Sequence, residues 1–255
     1  MGNDIRMAGY TGSTKGASFT QPGGWTETRD LQGFPLRGYE DGVSTFPTFP
    51  ITRPRLTGDA IVVVRADNDK EYALDDSVSP NPDSGVFTLD AWPDSHAPQS
   101  GGYFVAADYT NAAAFTLSAA NAGAKTLTTT DGLGTFYGPV GARKVFPISG
   151  AIYYIANNPA GEPSLYRYRL TSDGTDVAEE LVEGVQTMNI VYGVDTDATA
   201  DANINAYWTA DQVEAGTDGT TPLPAGTASD YWKRVLSVRV TVTLTTKSTE
   251  RITTN

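Results

Sequence analysis

The chain has 255 residues, with 18 Lys and Arg against 30 Asp and Glu for a formal charge of −12, one His and no Cys. The acids are 21 Asp and only 9 Glu, and alongside 34 Thr, 26 Gly and 15 Pro they favour turns and strands and exclude a helical bundle. The charge excludes a nucleic-acid partner and an anionic membrane surface, and the lack of Cys removes disulfides, thiolate metal sites and a Cys nucleophile.

Taken in chain order, the first expected element is a helical stub in NDIRMAGYTG, with Ile5 and Ala8 at helical spacing and Gly9 and Gly12 as stops. Residues 11–58 read as a layered loop with short edge strands, pinned by Phe19, Trp25, Phe34, Tyr39, Phe46 and Phe49 and kept from central strands by Pro47, Pro50 and Pro54. Strands are then expected at 60–66, 85–91, 102–108, 113–119, 151–156 and 164–170. In the last of these Tyr166, Tyr168 and Leu170 share one face and Arg167 and Arg169 the other. QTMNIVYGV (186–194) sets Met188, Ile190, Tyr192 and Val194 on one side. The Asp/Ala/Thr/Gly tract at 195–230 reads as a long surface loop. The cleanest alternation is VLSVRVTVTLTT (235–246), in which Leu236, Val238, Val240, Val242 and Leu244 form the expected buried face against Ser237, Arg239, Thr241, Thr243 and Thr245. No repeat or linker divides the chain, so a single antiparallel β domain is expected over 11–255, after a helical remnant at 1–10.

Chemistry is sparse. Asp195, Asp197 and Asp201 alternate as in a calcium loop, but position six is Ala200 instead of Gly and no Glu closes position twelve, so a solvated acidic turn is the favoured reading. The acidic stretch 75–84 is explained by Asx turns, and DGLGTFYG (131–138) has neither the Lys nor the helix of a phosphate loop. His96 lies in a Pro-flanked loop with no nucleophile elbow, so no catalytic residue is expected. Trp25, Trp92, Trp208 and Trp232 suit core plugs better than a sugar-binding platform.

The order of the blocks resembles that of a family. DIRMAGYTG (4–12), GDAIVVVRAD (58–67), YFVAADYTNAAAFTL (103–117) and YYIANN with SLYRYRL (153–170) follow one another as in the PilW-type minor pilins of type IV pili. The most specific stretches are ELVEGVQTMNIVYGVDTD (180–197) and WKRVLSVRVTVTL (232–244), which resemble the family pattern LVEGV, YGVDTD, W.RV..VR. The resemblance implies a pseudopilin-like antiparallel β domain, mainly β and α+β once the family's apolar N-terminal helix is included. DIRMAGY would be the last turns of that helix, with Met1 and Gly2 an added start, and membrane contact would run through it alone. Two family Cys positions are Ser13 and Tyr109 here, the family's DTDGDG is DTDATADA, and the end at Thr254-Asn255 falls where relatives continue with a last strand.

The function so implied is that of a minor pilin, a structural subunit with no reaction and no cofactor, calcium at Asp195, Asp197 and Asp201 being the exception to test. It would prime pilus assembly and sit at or near the tip through other minor pilins, the major pilin and an adhesin-like tip protein. Its place would be the inner membrane and periplasm before assembly and the extracellular pilus afterwards. Trp25, Phe34, Tyr207 and Trp208, in the loops 14–58 and 195–230, are the partner-contact candidates wherever they face solvent. The alternative is a secreted carbohydrate-binding or adhesion β-sandwich, which would need exposed rings aligned on one sheet face.

Overall fold

The computed structural model describes residues 1–12, 18–25, 28–42, 46, 53–75, 85–131, 143–172 and 176–245. The expectations at Ser13, at 76–84, at 132–138 and at Thr254-Asn255 lie outside these residues. The chain is mainly β and falls into two compact units: Met1–Arg37 with Val62–Ile152 and Tyr168–Val177, and Gly38–Ile61 with Tyr153–Arg167 and Ala178–Asn255. Its elements begin with α1 (Gly2–Arg6), β1 (Ser18–Thr20), β2 (Leu36–Tyr39), β3 (Ala60–Ala66), β4 (Tyr72–Ala73) and β5 (Val86–Thr88). They continue with β6 (Tyr103–Ala107), β7 (Asn111–Thr116), β8 (Ala119–Asn121), β9 (Thr126–Thr128), β10 (Lys144–Asn157), β11 (Pro163–Leu170) and β12 (Val177–Glu183). A nine-stranded sheet follows the path β1-β7-β6-β10-β11-β12, with β3 and β4 also on β10 and β2 on β3, and β5-β9-β8 form a small sheet of their own.

In the first unit α1 ends at Met7, and Gly9, at φ 76°, turns the chain so that its N–H donates to Val64 O at 3.0 Å. β6 and β7 form a hairpin closed by Asp108, whose Oδ1 accepts from the N–H groups of Thr110 (2.6 Å) and Asn111 (2.7 Å), an Asx turn. Behind the hairpin Phe115 stacks on Phe87 at 5.1 Å and on Phe104 at 5.9 Å, and Leu117, Leu127 and Val145 close the cluster. The expected strand at 151–156 is the second half of the longer β10. Its first half contains Pro147, which stands opposite Phe104 and accepts from Asp67 N–H through its carbonyl at 2.8 Å.

The second unit is built on β13 (Val185–Val194), β14 (Ala206–Trp208) and β15 (Val235–Leu244), in the order β14-β13-β15, with α2 (Ala210–Ala215) and α3 (Ala228–Trp232) between β14 and β15. The apolar row of β13 is filled as its alternation predicts: Met188, Ile190, Tyr192 and Val194 are all buried. Where β14 stops, Asp59 continues the ladder on β13: its N–H donates to Met188 O at 2.7 Å and its Oδ2 accepts from Ile190 N–H at 2.6 Å. Gly58 precedes it at φ 75°, and a Cβ there would also meet the Met188 backbone nitrogen at 2.8 Å, so both the turn and the close approach favour glycine.

Two expectations need correction. The tract 195–230 is more than a surface loop: Trp208, Ala210, Val213 and Leu223 are buried, and α2 is held by a capping box between Thr209 and Gln212 and ended by Gly216 at φ 68°. Few large apolar residues sufficed because Trp208 alone fills much volume. The second correction concerns β15. Its expected buried face is half-buried at Val238 and Val240, and Leu236, Val242 and Leu244 are 43%, 43% and 56% exposed. A register shift between Gly193 and Val194 also takes Leu236 out of that row.

Candidate functional site

The two sequence blocks with the most specific resemblance meet in the second unit. The first runs through β12, turns at Gly184 (φ 78°), follows β13 and ends in the acidic loop. The second starts at Trp232, at the end of α3, and continues through Arg234 into β15. Trp232 packs edge-on against Tyr192 with ring centroids 4.9 Å apart, and its indole N–H donates to Glu214 Oε2 at 2.8 Å. A Cβ at Gly38 would run into the Tyr192 hydroxyl, so only glycine fits over that ring.

The acidic loop begins where β13 leaves the sheet. Asp195 is 1% exposed, and its N–H donates to Arg234 O at 3.1 Å. Its Oδ1 accepts from Asp197 N–H at 3.2 Å, and its Oδ2 from Asp201 (2.8 Å) and Ala202 (2.9 Å). Ala202 adopts φ 63° to present that N–H. Burial opposes ionisation of Asp195, but the three backbone donors and the Arg234 charge outweigh it and hold the carboxyl below the usual carboxylate range. Asp201 in turn accepts from Asn203 N–H and Nδ2, and Asp197 Oδ2 from Asn205 Nδ2 at 3.2 Å.

The three candidate ligands therefore converge, with one carboxylate oxygen from each of Asp195, Asp197 and Asp201 within 4.8 Å of the others. The same carboxylates also take part in hydrogen bonds within the loop. Both Asp195 oxygens and both Asp201 oxygens already accept hydrogen bonds, and Arg234 Nη1 donates to the carbonyls of Asp195 (3.2 Å) and Asp197 (2.7 Å). A calcium ion draws on six to eight oxygens of this kind. Here a guanidinium stands at the main-chain carbonyls of the loop. Arg234 was invisible as a member of this loop because it lies far along the chain, and no local spacing connects it to Asp195.

The contact candidates separate by burial. Tyr207 is 46% exposed, with the Arg239 guanidinium 4.1 Å from its ring centroid. Trp208, the next residue, points to the other face and is 1% exposed, so it is a core residue and no surface anchor. Trp25 is half-buried edge-on against Tyr103 at 5.0 Å, in a cluster where Arg29 lies 5.1 Å from the Tyr103 ring centroid. Phe34 is half-buried under Arg37 at 4.5 Å. Among the described residues Tyr207 has no second exposed ring on its sheet, so they form no aligned platform of a sugar-binding module there. Among the described residues the His96 ring meets Ser95 Oγ at 3.1 Å, a neighbour in sequence, and this pair makes no triad.

Residues 152–255 match the family model described as type IV pilus-assembly protein W, a stretch that contains both signature blocks and the whole β14-β13-β15 sheet. Over that stretch the chain is similar to the PilW family. Neither the search of curated proteins nor that of solved structures gives a match. By its description the matched family serves in type IV pilus assembly. No helix among the described residues is long and apolar enough to cross a membrane.

Proposed function

We propose that the protein is a minor pilin, a structural subunit that primes pilus assembly and remains at or near the tip. The observation that carries this reading is the match of residues 152–255 to a pilus-assembly family. A rigid sheet with aromatic and cationic side chains standing out from it suits such work, because assembly needs shape and a few anchors and no reactive group. Tyr207 is the anchor this reading favours, through contacts with other minor pilins, the major pilin or an adhesin-like tip protein. Membrane attachment before assembly belongs to the apolar N-terminal helix that the resemblance implies, and the extracellular pilus is the later location.

The test is deletion of the gene in its own host, followed by complementation. Loss of surface pili, restored by the wild-type gene and restored less well by Tyr207→Ala, is the expected result. Undiminished piliation in the deletion strain would overturn the reading. No cofactor enters it. Calorimetric titration with Ca²⁺ should give the same trace for the wild type and for the double variant Asp195→Ala, Asp197→Ala. Heat in the wild type alone would make the loop a calcium site.

A further inference from the structure

We propose that β15 is a docking edge for an extended segment of a partner polypeptide that carries a carboxylate opposite Arg239. The outer edge of β15 is a separate contact from the Tyr207 ring proposed above as an anchor, and the two adjoin through Arg239, which stacks on that ring. β15 is the end strand of the β14-β13-β15 sheet, and among the described residues no strand pairs with its outer side. An end strand of this length is usually protected by Pro, Lys or inward-facing charges. VLSVRVTVTL has none of them: it holds no Pro, Lys, Asp or Glu, and its register with β13 is unbroken from Ser237 to Thr243, shifting only toward the Val235 and Leu244 ends.

The apolar row of β15 stands in register with buried neighbours on β13, Val238 opposite Tyr192, Val240 opposite Ile190 and Val242 opposite Met188. A further strand beside β15 would extend that row and cover Val242 and Leu244, which are 43% and 56% exposed. The other face supplies the charge preference. Arg239 is the one charged residue of β15, and its guanidinium lies over the Tyr207 ring at 4.1 Å and makes no ion pair with a carboxylate among the described residues. Stacked on the ring, the guanidinium is held in place with N–H groups left for a carboxylate from the added strand. Ser237, Thr241 and Thr243 flank it on that face, so nothing on the strand repels an anion there.

The probe is a synthetic peptide of alternating Val and Thr with one central Glu, added to the full chain, with amide hydrogen exchange as the readout. Slower exchange across 236–244 is expected, with about fivefold weaker binding when the central residue is Lys. Arg239→Glu, an exposed change, should reverse that preference. The proposal is overturned if neither peptide slows exchange in β15, if Glu and Lys peptides bind the wild type equally, or if the protection falls on another strand. It is overturned equally if β15 is protected without peptide as protein concentration rises, since the occupant is then a second copy of the chain.

Discussion

β13 and β15 pair along most of their length, Met188 beside Val242, Ile190 beside Val240 and Tyr192 beside Val238, yet the two strands differ in what covers them. β13 lies in the middle of its sheet, with β14 and Asp59 on one side, β15 on the other, and Trp232 against Tyr192. β15 has β13 on one side only, and its apolar row becomes more exposed toward Leu244. The alternation of apolar and polar residues is at least as regular in β15 as in β13. Alternation determines which side chains share a face, and neighbours determine whether that face is dry.

The largest expected effect contrasts two register partners. Met188→Ala, at a fully buried site, should cost about 2–5 kcal/mol in urea unfolding. Val242→Ala, directly opposite, should cost under about 0.5 kcal/mol because its side chain is already partly in water. Similar losses at both positions would show that β15 is as well packed as β13. A smaller effect is expected at the end of β13. Arg234→Ala removes the guanidinium from the Asp195 and Asp197 carbonyls and should cost about 1–2 kcal/mol, with faster exchange confined to 195–205.

The smallest effect separates two carboxylates that support β13. Asp195 has a depressed folded value, so its contribution is present above the unfolded value and is lost as pH falls through the folded one. Asp59 behaves in the opposite way. Burial pushes its carboxyl up against the pull of the Ile190 and Asp41 N–H groups, so its contribution is greatest at low pH and is lost as pH rises through the folded value. Urea midpoints followed from neutral to acid pH should therefore fall less steeply for Asp195→Asn than for the wild type, and more steeply for Asp59→Asn. Parallel curves would mean that neither carboxylate is perturbed.

Much of this was legible locally. β3 coincides with the apolar run 60–66, the buried faces of β11 and β13 follow their alternation, and the stub ends near its glycines. The convergence of Asp195, Asp197 and Asp201 also followed from their spacing. Thr209 and Gln212 carry the spacing of a capping box for α2, a short signal within a tract otherwise rich in Asp, Ala and Gly. Other features had no local signal. Arg234 reaches Asp195 and Asp197, and Asp59 takes a strand's place on β13, across chain separations that no short-range pattern spans.

By itself, then, the sequence determined the β class and the faces of its strands, because alternation and residue chemistry are properties of short stretches. Tertiary structure alone decided which faces are covered. It buried Trp208 while exposing Tyr207, satisfied the acidic loop with an arginine, and left the most regular strand of the chain at a sheet edge. Each of these outcomes depends on what a distant segment brings alongside, and burial and hydrogen bonding are set by that neighbour as much as by the residue itself.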